Sequence, residues 1–325
     1  MSTAPPKDAL AEFDVPFIPE RPRTPADRRF RALLLACSST VLVIIVGIVI
    51  YLIVKSLPAI RYQGLFSLIF TDKWNPRSLH PTYGFFGDLV GSVVVAVIAL
   101  IVALPLSVAT ALAINEYAPR QLRRPLTTLV DLLAALPSLV FGMWGRYFFQ
   151  KHVFLTDKWL GHHTSFFPPF RLTGAPLGSG LFEAGLVVGI MIIPIITSIS
   201  REIMSLAPRE DCEAALALGG TRWGMVTDVI LPFARSGIIG SAMLGLGRAL
   251  GETIAVSVIL SQNERLTSHV LESGGGAIAP LIVHEFLGSS TLEQSALMAA
   301  GLTLFALTLA VNIGARTIVL RAGTT

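Results

Sequence analysis

The chain has 325 residues, of which 53% are hydrophobic and 14% charged. Soluble domains carry about 25% charged residues. Here the apolar residues also fall in long runs, which excludes a soluble globular domain. The net charge of +4 is too small for a dedicated nucleic-acid surface, and two cysteines cannot build a disulfide scaffold.

Residues 1–31 are rich in proline and charge and read as a disordered cytoplasmic tail. Six runs then reach the roughly 20 apolar residues that a membrane crossing requires. They are 32–54, 89–113, 126–149, 181–200, 236–260 and 295–320. The first run is too long, and starts too late, for a cleavable secretion signal. Pro105, Pro137 and Pro194 fall inside three of the runs and are expected to kink them. A short apolar piece at 277–287 reads as a re-entrant or interfacial helix. Cys37 in the first run and Cys212 in a loop are read as structural and unlinked.

Lys and Arg are concentrated in the segments that are internal when the N-terminus is inside. Both termini are therefore expected in the cytoplasm. The expected fold class is all-α, a polytopic membrane protein of six transmembrane helices. A single domain covers 32–320, followed by a short cytoplasmic tail at 321–325.

A polar island at 201–235 separates the fourth and fifth runs. Pro208 suits a first helical turn, and Glu210, Asp211 and Glu213 favour a helix N-terminus. Gly219 and Gly220 end that helix. Thr221 caps a second short helix containing Trp223, Met225 and Val226. The product is a helix-turn-helix knob. Its pattern, Glu213-Ala214-Ala215 with Gly219 and then Leu231-Pro232, resembles the signature loop of ABC-importer permeases. That resemblance implies a type I permease fold. It also implies that the knob docks in a groove of an ATPase subunit. Gly219→Pro or Glu213→Arg is then expected to uncouple ATP hydrolysis from transport.

The second feature is Arg248 in the fifth run. A lone charge near the centre of a span costs roughly 2.5–3.5 kcal/mol on insertion scales, so it should avoid lipid. At helical spacing Gly237, Ser241, Gly245, Arg248 and Glu252 share one stripe, and Arg248 and Glu252 can meet as an i, i+4 pair. Gly247 and Gly251 form a small-xxx-small pair for helix packing. Two readings stand side by side: a guanidinium gate for an anion, and a buried ion pair that fixes register.

The segment from Gly247 through Arg248, Glu252 and Thr253 is similar to that of the phosphate-specific importer permeases, the PstC type. So are Trp74-Asn-Pro76, Pro105-Leu-Ser107, Glu116-Tyr-Ala-Pro119 and the stretch from Leu136 to Gly145. The resemblance covers roughly 60–320 and departs from the pattern at Arg146. It implies phosphate translocation through Arg248, Glu252 and Thr253. It also implies partners: a PstA-type permease, a PstB-type ATPase dimer that binds ATP and Mg, and a PstS-type extracytoplasmic phosphate-binding protein. Inorganic phosphate and membrane lipid complete the set, with no nucleic acid.

The chain has no Walker-type phosphate loop and no ordered nucleophile set, so no catalytic residue and no cofactor of its own is expected. The histidines, including the adjacent His162 and His163, do not suggest a metal site. The alternatives are a permease for sulfate or molybdate and an ion-coupled secondary carrier; a membrane enzyme is disfavoured.

Overall fold

The computed structural model describes residues 25–163, 177–260 and 270–322. Of the tail expected to be disordered over 1–31, residues 1–24 lie outside these, as do 164–176, 261–269 and 323–325, whereas 25–31 are already helical. The described part of the N-terminal unit, 25–51, belongs to helix α1 (Pro25–Gln63). Its side chains are nearly all exposed, among them Leu42 and Val43. A helix apolar around its whole circumference meets lipid or another protein rather than water.

The second unit begins at Leu52. After α1 comes the one-and-a-half-turn helix α2 (Leu65–Phe70). A small hairpin follows, pairing β1 (Trp74–Asn75) with β2 (Thr82–Tyr83). Trp74 and Tyr83 meet edge to face with centroids 5.4 Å apart. Then come α3 (Phe86–Leu112), α4 (Arg120–Ala135), α5 (Ser138–Trp144), α6 (Gln150–His163) and α7 (Leu181–Ser205). The remainder is α8 (Arg209–Ala217), α9 (Arg222–Met225), α10 (Leu231–Leu250), α11 (Ile254–Ile259), α12 (Ile278–Phe286) and α13 (Thr291–Ala322). Single π-helical turns extend α3 at Ala113–Tyr117, join α5 to α6 at Gly145–Phe149, and join α9 to α10 at Val226–Ile230. The short apolar helix expected at 277–287 is α12.

Five helices are long and apolar enough to cross a membrane, and one bent pair would make a sixth. That pair corrects the expected third span. Leu136 and Pro137 both have extended backbone angles, and the helices on either side diverge by 89°. Proline's ring disfavours a helical residue before it, so the chain turns instead of kinking. Pro105 and Pro194, by contrast, lie inside the continuous helices α3 and α7. The fifth span is also interrupted, at Gly251–Thr253.

The core is built on α3 and α7. Val95, Ala96, Ala99 and Ala103 of α3 bury against Ala184, Val187, Val188, Met191, Ile192 and Ile196 of α7. Small residues let the backbones approach: a Cβ on Gly189 would lie 3.2 Å from the Ala99 carbonyl oxygen. Hydroxyls stitch the same pair, with Ser107 Oγ donating to the Ile193 carbonyl at 3.0 Å. Without a hydrophobic drive between helices in lipid, close contact and such bonds carry the packing.

A second tight approach lies where α3 begins. A Cβ on Gly91 would strike the carbonyl oxygen of Gly276, with Leu181 Cδ2 3.3 Å away. Gly91→Val is expected to destabilise the fold by about 1–3 kcal/mol through overpacking. Thermal denaturation of the detergent-purified protein checks this; an unchanged melting temperature would count against the contact.

Candidate functional site

The knob expected at the polar island is present. Pro208 precedes α8, whose first turn carries Glu210 and Asp211. Gly219 takes φ +85°, a left-handed angle that only glycine adopts freely. Gly220 N donates to the Ala215 carbonyl at 3.1 Å, and Gly219 N to that of Leu216 at 3.0 Å. These two bonds form a Schellman cap. A Cβ on Gly220 would lie 2.6 Å from the Ala215 carbonyl oxygen, so both glycines are required. Thr221 Oγ1 then accepts from Gly224 N at 3.1 Å and caps α9.

The inner face of the knob packs Cys212, Ala215 and Leu231 against Met204, Met225, Val226, Ile230 and Ala234. Burial, helped by the charges of Glu116, Asp211 and Glu213, raises the Cys212 thiol pKa, so it is not a reactive thiolate. Cys37 and Cys212 are both free thiols. The outer face of the knob presents Glu213, Ala214, Leu218 and Trp223. Leu218 is 91% exposed and Trp223 60%, an apolar tip with no cover among the described residues. Pro232 sits in the first turn of α10, directly after the π-helical turn Val226–Ile230.

Helix α10 leads from the knob to Arg248. Its small stripe faces α7. Ser241 and Ser200 share a 2.9 Å hydroxyl bond. A Cβ on Gly245 would lie 2.7 Å from Ile196 Cδ1, and one on Gly237 would run into Ile203. Gly247 and Gly251, the expected packing pair, meet no other helix closely among the described residues; Asn312 Oδ1 lies 4.0 Å from a Gly247 Cβ. The close approach is made at Gly237 and Gly245.

The expected Arg248–Glu252 pairing is corrected by the helix break. Gly251 N bonds to the carbonyls of Gly247 and Arg248 at 3.4 and 3.2 Å, tightening the last turn of α10. Thr253 leads into α11, with its Oγ1 donating to the Gly251 carbonyl at 3.1 Å. The Glu252 carboxylate turns to α11 and accepts from Ala255 N at 3.3 Å. A carboxylate at a helix N-terminus satisfies an orphan amide and the helix dipole together. Glu252 is 8% exposed. Arg248, in the last turn of α10, is exposed and makes no hydrogen bond or ion pair with a described residue. The reading of a register-fixing ion pair therefore has no geometric support.

Other polar groups gather beyond α11. Arg146 Nη1 donates to Ser179 Oγ at 2.6 Å and to the Ile259 carbonyl at 3.3 Å. Gln150 Nε2 donates to the same hydroxyl at 2.9 Å. Glu183 Oε2 accepts from Gly180 N at 2.9 Å, a helix cap, but the residue is buried rather than solvated. Asp157 is fully buried beside it. Burial first, then the Glu183 carboxylate, pushes Asp157 up to about 9. It keeps its proton at neutral pH. That proton supplies a donor where Asp157 and Glu183 Oε1 would otherwise have none.

The sequence reading missed this cluster, because Asp157 and Glu183 meet only through tertiary packing. It also missed Ser257 and His284, which bond at 2.7 Å between α11 and α12. Among the described residues, no group of three or more His, Cys, Asp or Glu could hold a metal ion.

The sequence profile described as binding-protein-dependent transport system inner membrane component matches residues 103–322. The chain is 38% identical over 301 residues to the phosphate transport system permease protein PstC of Xylella fastidiosa (strain 9a5c), covering 91% of each. It is 37% identical over 319 residues to the phosphate transport system permease protein PstC 2 of Mycobacterium tuberculosis (strain ATCC 25618 / H37Rv), covering 96% of each. A solved bacterial ABC transporter involved in import of the polysaccharide alginate shares the fold. It aligns with a TM-score of 0.61 at 17% identity, over 91% of this chain and 96% of that one. By profile, by similarity along its length and by fold, the chain belongs to the family of binding-protein-dependent transport system inner membrane components.

Proposed function

We propose that the chain is a permease subunit of an ATP-driven inorganic phosphate importer. The observation that carries this reading is Arg248. It is a guanidinium in the last turn of a membrane helix, next to a helix break, with no carboxylate partner among the described residues. A free guanidinium fork suits a tetrahedral oxyanion. The names of the similar proteins support phosphate as that anion.

In this reading the termini and the α8–α9 knob are cytoplasmic, and the knob docks an ATPase dimer of the PstB type. A PstA-type permease completes the path, and a PstS-type binding protein delivers the cargo from outside. ATP and Mg belong to the ATPase. This chain supplies half of the conduit, with Arg248, Glu252 and Thr253 along it.

The test is the complete transporter in proteoliposomes with ATP inside and labelled phosphate outside. Uptake that requires both ATP and the binding protein is expected, with sulfate and molybdate failing to compete. Preferential uptake of sulfate or molybdate changes the cargo. Uptake that survives an ATPase-dead partner places the chain among ion-coupled carriers.

A further inference from the structure

Arg146 has no part in the reading above. It sits in the π-helical turn between α5 and α6, and its starting point is fixed. A Cβ on the preceding Gly145 would lie 2.8 Å from Val187 and 3.0 Å from Ile259, so the backbone there is wedged between α7 and α11. The side chain is half-buried and anchored through Nη1 to Ser179 and to the Ile259 carbonyl. A guanidinium has five N–H donors. Those on Nε and Nη2 bond no described residue, and no described carboxylate pairs with Arg146.

Beside it lies a cavity of ≈ 400 Å³, lined by Arg146, Gln150, Lys151, Leu177 and Gly178. Its wall is built closely. Gly178 has φ +100°, and a Cβ there would lie 3.1 Å from Gln150 Nε2. Lys151 adds a second cation, exposed and also without a described carboxylate partner. The acids nearby are already committed. Glu183 caps α7, and Asp157, seven residues beyond Gln150 on the same face of α6, holds its proton. Glu272, paired through its backbone with Leu177, is buried and has a partner of its own.

We propose that this cavity is a second anion site, an antechamber in which Arg146 and Lys151 hold a tetrahedral oxyanion such as phosphate before it reaches Arg248. The proposal rests on the importer reading. The cavity is lined by two cations and an amide, and its guanidinium is tethered inward instead of reaching out to a protein surface. A free ion is therefore the occupant it fits.

The experiment is the complete transporter in proteoliposomes, comparing wild type with Arg146→Gln, Arg146→Lys and Lys151→Gln. Labelled phosphate delivered per ATP hydrolysed is measured, together with the binding-protein concentration that half-saturates ATPase activity. Arg146→Gln is expected to lower the phosphate-to-ATP ratio about tenfold, the usual cost of losing a charge-assisted hydrogen bond. Half-saturation should stay at the wild-type value, and Arg146→Lys should recover part of the loss. If Arg146→Gln fails to assemble, Lys151→Gln still decides, with a smaller drop in the same ratio.

An unchanged ratio overturns the proposal. A raised half-saturation at an unchanged ratio makes the residue a contact for the binding protein and overturns it too. An unchanged ratio with lower thermal stability only when lipid is present, and none in lipid-free micelles, assigns the site to a lipid headgroup, also against the proposal. A wild-type transporter that moves no phosphate sinks the importer reading itself, which the variants alone cannot do.

Discussion

Gly219→Pro is expected to abolish ATP-driven uptake while leaving the chain in the membrane. Gly219 holds φ +85°, whereas proline's ring fixes φ near about −65°. The substitution also removes the N–H that donates to the Leu216 carbonyl and disturbs the neighbouring bond from Gly220 to Ala215. Strain and lost bonds together cost about 2–5 kcal/mol, enough to lower the population of the native turn about 30-fold or more. Nothing lies within 4 Å of a Cβ on Gly219, so the damage stays with the turn. Leu218 and Trp223, on the exposed tip, are the groups displaced. Co-purification with the ATPase and transport-coupled ATP turnover should fall together. Wild-type uptake in this variant would remove the knob from energy coupling. Gly219→Ala, which faces only the penalty of a left-handed residue, about 1–2 kcal/mol, should fall between the two.

Arg248→Gln is expected to lower phosphate uptake about 10- to 100-fold, in keeping with a lost charge-assisted hydrogen bond. Assembly should be intact, because Arg248 is exposed and bonds no described residue. The charge-swapped double variant, Arg248→Glu with Glu252→Arg, separates the two readings of this region. Glu252 bonds the Ala255 amide instead of Arg248. The swap therefore has no pair to restore, and an arginine at 252 would place a cation at the N-terminus of α11, where the dipole repels it. No recovery of uptake is expected. Recovery to near the wild-type rate would restore the ion-pair reading.

Local chemistry was the legible part of this chain. Gly219, Gly220, Thr221 and Pro232 announce their backbone roles in the sequence, and the knob forms where they placed it. The long apolar runs likewise became helices, because length and hydrophobicity suffice for that. Interruptions were harder to read. Pro137 turned the chain through 89° while Pro105 and Pro194 did not break their helices. Composition does not distinguish these cases; neighbouring helices that support the freed backbone do. The Arg248–Glu252 pairing assumed an unbroken helix. A glycine followed by a carboxylate that caps the next segment gives the same spacing and the opposite geometry. Glu183 reads in the sequence as a capping residue, but its meeting with Asp157 carried no signal, since 26 positions separate the two acids and only tertiary packing brings them together.

One helix holds the docking knob and the lone guanidinium at its two ends. Helix α10 spans 20 residues, about 30 Å at the usual rise. Its first residue follows the knob, and Arg248 lies two residues before its last. The Ser200–Ser241 bond and the flanking glycines seat it against α7. A stiff rod held in this way turns at both ends by the same angle. Torque applied to the knob would therefore swing Arg248 around its circle, and the helix break at 251–253 is the joint where that rotation can stop before it reaches α11.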